Sequence, residues 1–185
     1  MKKIMAILLL FVVLMTAACQ SANPGQGTGT TVPAEPTVTT PVETQPQTTP
    51  TQEPQGDLKT ILTQIVEAAG LQDLMEGCMI DEVKSDEVGF LIGAESFDGK
   101  FEEGVSMQPL INVNPFAMAM FQLADGDDPV AFAKELKEKA NLRKWICVEA
   151  ETMLAATKGQ TVLFIMGSTE DVNALASAAA FTPVK

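Results

Sequence analysis

The first apolar run along the chain is unbroken: Ile4 to Ala18 contains no charged residue and follows Lys2 and Lys3. As a helix it would span about 22 Å, short of the roughly 30 Å hydrocarbon core of a bilayer. That length, led by positive charge, predicts a signal-peptide core over residues 1–18 rather than a transmembrane helix. The apolar pattern then stops. Gln20 to Gly56 holds ten Thr, seven Pro and six Gln, with no Leu, Ile, Phe, Met or Trp. Such a segment cannot bury enough apolar surface to offset its chain entropy, so a disordered tether is predicted over residues 19–56. Its prolines favour extended conformers, giving a reach between about 35 Å as a coil and about 115 Å extended.

Periodic patterning begins at Asp57, and residues 57–185 read as one globular domain. Leu58, Ile61, Leu62, Ile65 and Val66 fall at helical spacing, with Asp57 placed as N-cap and Gly70 as terminator. Val88 to Gly93 reads as a short apolar strand, and 94–112 as irregular chain with turns at Asp98-Gly99 and Gly104. Pro115 to Ala124 is apolar on both faces, the mark of a central strand. Asp128-Pro129 opens a helix over 129–144 that turns Phe132, Ala133, Leu136 and Ala140 inward. Ile146 to Ala156 reads as a strand with Ile146, Val148, Ala150, Thr152 and Leu154 inside. A turn at Lys158-Gly159 and a strand over Thr161 to Met166 follow, and then Ser168 and Asp171 form a capping box for a last helix. The order α-β-β-α-β-β-α predicts an α+β fold, specifically a ferredoxin-like sandwich. Its sheet would be mixed and mostly antiparallel, with helices packed on one face.

The signal segment ends Thr16-Ala17-Ala18-Cys19. Small residues before a cysteine resemble a lipoprotein signal peptide, in which the Cys is lipidated and becomes the mature N-terminus. Two acyl chains on Cys19 would anchor stably where one would not. Added to this are Pro109-Leu110-Ile111 ahead of a strand, the acidic turn Asp125 to Asp128, and ETMLAATKGQTVLFIMG as a late hairpin. Over residues 58–180 the chain thereby resembles the small Gram-positive envelope lipoproteins of the family called domain of unknown function 4358. The resemblance implies a lipid-anchored protein on the extracytoplasmic face of the cell membrane. It attaches no functional residues to any position.

Composition narrows the chemistry. The chain has no His, so no Ser-His-Asp triad, Cys-His pair or HExxH zinc site can be assembled. A net charge of −12 argues against nucleic-acid binding, which depends on Lys and Arg neutralising phosphates. No GxGxxG, P-loop or GxSxG motif is present, and no cofactor is expected. Asp125, Asp127 and Asp128 form the densest oxygen cluster, a low-ranking candidate for a hard cation. EF-hand spacing fails, because position twelve from Asp125 is Leu136, and a helix cap is the simpler reading. Glu149 and Glu151 share a strand face in this reading, as two exposed acids commonly do. Met107, Met118, Met120, Met153 and Met166 read as core filling rather than copper ligands. Cys78 and Cys147 are left after Cys19, and a disulfide between them and two free thiols are both open. Trp145, just after Arg143 and Lys144, reads as an anchor at the edge of the core. These features together predict a non-enzymatic interaction or accessory domain with a protein partner in the envelope. The alternative is a small-ligand or divalent-cation-binding domain.

Overall fold

The computed structural model describes residues 55–185, so the expected signal segment, Cys19 and nearly all of the expected tether lie outside the described residues. Helix α1 (Leu58–Ala68) starts where Asp57 accepts a 2.8 Å hydrogen bond from the Thr60 amide. It turns Leu58, Leu62, Ile65 and Val66 into the core and gives way to Gly70 at positive φ. A short helix α2 (Gln72–Glu76), strand β1 (Cys78–Glu82) and helix α3 (Val88–Ile92) follow. Then come β2 (Glu103–Pro109), β3 (Ala117–Gln122), α4 (Pro129–Lys139), β4 (Thr152–Lys158), β5 (Thr161–Gly167), α5 (Thr169–Ala179) and β6 (Thr182–Pro183). Among the described residues no helix is long and apolar enough to cross a membrane.

The fold is α+β. One six-stranded sheet runs β1-β2-β3-β5-β4-β6, and every neighbouring pair is antiparallel. Strand side chains alternate between faces, and here both faces are dry. Ala117, Ala119 and Phe121 of β3 enter a core with α3 and α4, beside Phe97 and Phe132. Met118 and Met120 enter a second core with α1 and α5, beside Met107, Leu163 and Ile165. On the first face Phe121 and Phe132 lie 5.3 Å apart, and Phe97 meets Phe132 edge-on at 5.1 Å. Met166 belongs to this first core, so the methionines are divided between two faces as packing groups.

Several elements differ from expectation. Helices cover both faces rather than one, because β3 and β5 are apolar on both and each face requires cover. The ferredoxin-like order is not what forms. β3, α4 and β4 enclose β5 in a split crossover, but the final strand β6 adds outside β4 rather than beside β3. Residues 88–92 are helical rather than extended, with Gly93 as a left-handed terminator at φ 76°. Residues 103–109 are a strand, not irregular chain. The strand expected from Ile146 begins only at Thr152, and residues 140–151 form a long loop that leaves Ile146 fully exposed.

Candidate functional site

The loop after α4 is held down at defined points. The Asn141 amide donates to the Ile92 carbonyl at 2.8 Å, docking the loop on the end of α3. The Asn141 side-chain oxygen accepts from the Arg143 amide at 2.9 Å, folding the chain into an Asx turn. The Ala150 amide closes the loop onto the Leu142 carbonyl at 2.9 Å. Gly93 permits this approach: a Cβ there would lie 2.5 Å from the Lys144 Cβ and 3.2 Å from the Asn141 Cβ.

The result is a groove of about 690 Å³ between the end of α3, the end of β2 and the 141–147 loop. Phe90, Pro109, Trp145 and Ile146 supply apolar walls, and Gln108, Asn112 and Asn141 supply amides. A smaller hollow of about 270 Å³ adjoins it and shares Arg143, Trp145, Ile146 and Cys147. Trp145 is buried, as expected of an anchor at the core's edge, yet it lines the groove. Phe90 is 79% exposed and Ile146 completely so. Leu110, Ile111 and Val113, also exposed, occupy the loop that carries Asn112.

Lys144 sits in the groove wall. Its Nζ donates to the Leu91 carbonyl at 2.7 Å, to Gln108 Oε1 at 3.2 Å and to the Phe90 carbonyl at 3.4 Å. It also stands 4.9 Å from the Trp145 ring centre and 5.4 Å from that of Phe90. Burial pushes its ammonium down from 10.5 to about 8. The acceptors and rings favour the charged form, so Lys144 carries its proton at neutral pH. Arg143, the only arginine of the chain, lines the same groove and makes a loose 3.6 Å contact with Glu149. Among the described residues no carboxylate lines the groove.

The candidate residues read from the sequence lie elsewhere. Asp128 caps α4, accepting from the Val130 and Ala131 amides at 2.9 and 3.0 Å. Asp125 and Asp127 are exposed in the preceding turn, which Gln160 Nε2 pins by donating to the Ala124 carbonyl at 2.7 Å. Among the described residues no three acids or thiols converge as a cation site, and within the acidic turn Asp128 serves as the cap of α4. Glu149 and Glu151 precede β4 and do not act as a pair. Glu149 faces Arg143, and Glu151 accepts from the Thr169 amide at the start of α5 at 2.8 Å. That bond holds the Glu151 carboxyl below its ordinary range. Cys78 and Cys147 are both free thiols. Burial pushes Cys78 up to about 11, leaving it an inert thiol at neutral pH.

Comparison of the chain with protein-family models, curated proteins and solved structures returns no match.

Proposed function

We propose that this chain is a lipid-anchored, extracytoplasmic binding domain without enzymatic activity, tethered through Cys19 and engaging a protein partner in the cell envelope. The face built from α3, the loop after β2 and the 141–147 loop is its working surface. One observation carries this reading: Phe90, Leu110, Ile111, Val113 and Ile146 are exposed at or beside one groove, and among the described residues the other exposed large apolar side chains are Met79 and Val130. The resemblance to the envelope lipoproteins, the Thr/Pro-rich tether and the TAAC motif support the location.

The test places a photo-crosslinking amino acid at position 90, 111 or 146 of the full-length protein in native envelopes. Val130, exposed on α4, serves as the control position. A discrete adduct from the groove positions and none from position 130 is expected. Equal labelling from all four, or none from any, overturns the reading. Anchoring is tested separately: Cys19→Ser should abolish incorporation of labelled palmitate and release the protein from the membrane fraction.

A second reading, binding of a small molecule, is favoured by the groove's volume of about 690 Å³, inside the usual range for ligand sites. A midpoint shift in thermal unfolding with one member of a panel of sugars, cell-wall fragments and divalent ions would favour it over the first.

A further inference from the structure

We infer that the groove beside Lys144 receives an acidic–apolar segment of a partner polypeptide, an aromatic or branched side chain with a carboxylate next to it. This rests on the reading of the groove as the domain's binding surface and names the chemistry of its occupant.

The first argument is charge. The protein carries a net charge of −12, yet among the described residues its groove is lined by Arg143 and Lys144 and by no acid, Glu149 entering only in the adjoining hollow. A chain with twice as many acidic as basic side chains, 24 against 12, has kept carboxylates out of one concave surface. An anionic occupant meets its complement here and repulsion over most other surfaces.

The second argument is the hydrogen-bonding capacity left over. An ammonium has three protons to donate. Lys144 uses two, on the Leu91 carbonyl at 2.7 Å and on Gln108 Oε1 at 3.2 Å, and places the third in a long 3.4 Å contact to the Phe90 carbonyl. A carboxylate entering the groove would take that third proton. Arg143, with its side chain 77% exposed and its Glu149 contact at 3.6 Å, keeps most of its fork open for the same group.

The third argument separates a polypeptide from a lipid or simple organic acid. Gln108, Asn112 and Asn141 line the groove with amides that can both donate to and accept from a peptide main chain. An acyl chain would leave those amides facing hydrocarbon. The exposed Phe90 and Ile146 give the occupant's apolar side chain a place between them.

The experiment uses two tetrapeptides that differ only in charge, acetyl-Gly-Phe-Asp-Gly-amide and its Asn counterpart, titrated into the full-length protein. Trp145 is the only tryptophan and the chain has no tyrosine, so emission excited at the red edge reports on the groove wall alone. The Asp peptide is expected to bind about fivefold tighter, the size of a half-exposed charge pair. Lys144→Met should remove most of that preference and Lys144→Arg should keep it. Arg143→Gln, at an exposed side chain that folding does not need, should reduce it even if Lys144→Met fails to fold. Phe90→Ala should weaken both peptides. Equal binding of the two peptides overturns the charge inference and leaves the groove as a binding surface. Absence of any effect on Trp145 from either peptide overturns both.

Discussion

Lys144→Met isolates what the buried ammonium costs. In the folded chain burial lowers this group from 10.5 to about 8, whereas the unfolded chain holds the proton to its ordinary value. Between those two values the unfolded state binds more protons, so stability rises with pH. The contribution is complete above 10.5 and is lost as pH falls through 8. Between pH 7 and 9 the ideal gain is about 1.3 kcal/mol, and partial access of solvent to Lys144 trims it to about 1 kcal/mol. The upper limit of the window is set by Cys78, whose thiol rises from 9.0 to about 11 and makes stability fall above pH 9. Below that limit neither His nor Tyr contributes, and the Cys78 drift is common to wild type and variant, so the comparison between them removes it. The assay is urea unfolding of the full chain at pH 7, 8 and 9, followed through Trp145. Across the series the wild type should gain about 1 kcal/mol relative to Lys144→Met, which keeps Cys78 and should fall by about 0.4 kcal/mol toward pH 9. A flat or falling wild-type series refutes the reasoning, as does an equal rise in Lys144→Met, which would assign the proton to another group.

Further substitutions test the scaffold around the site. Asp128→Ala removes the cap that holds two amides of α4 and should cost about 1 kcal/mol, read as a drop of several degrees in Tm; Asp125→Asn and Asp127→Asn should leave Tm where it is, with or without Ca²⁺. Gly93→Ala forces φ 76° on a side chain whose Cβ would stand 2.5 Å from Lys144, so urea unfolding should show a loss above about 1 kcal/mol and Trp145 emission should shift. Phe121→Ala opens the core between Phe101 and Phe132 and should cost about 3–5 kcal/mol in the same measurement. Glu151 supports folding at pH values above the ordinary carboxylate range and loses that support as pH falls through its lowered value, so Glu151→Gln should flatten the acid side of the stability profile.

The helix starts were legible because capping is a local chemistry written in adjacent residues. Asp57, Asp128-Pro129 and the Ser168/Asp171 box each mark the helix that forms, and Asp57, Asp128 and Ser168 accept the amide bonds expected of them. The hairpin at Lys158-Gly159 was legible for the same reason, with Gly159 at φ 58°. Short apolar runs were not. Val88 to Ile92 is five residues of helix, too short for a 3.6-residue period to be told from a buried strand. β1 carries Asp81 and Glu82, charges that an edge strand commonly bears and that break the apolar alternation by which a strand is recognised. The double apolar face of Pro115 to Ala124 held the information that was not followed through. A strand dry on both sides requires a layer on each, which excludes a sheet covered by helices on one face alone.

The groove was illegible for a different reason. Its walls come from α3, the end of β2 and the loop after α4, segments far apart in the chain, from Phe90 to Cys147, and brought together by Asn141 and Gly93. No local motif records such a meeting. The one trace in the sequence is Arg143-Lys144-Trp145, two cations and the only tryptophan in succession. Alternation of Ile146, Val148 and Ala150 drew that stretch into a strand, where Ile146 would have been core. The structure leaves Ile146 in solvent and buries Trp145 instead. A fully exposed isoleucine next to a buried ammonium is costly on both counts for stability alone. Two neighbouring positions that each work against the fold, beside a groove that no described carboxylate lines, are consistent with the binding role proposed for this surface.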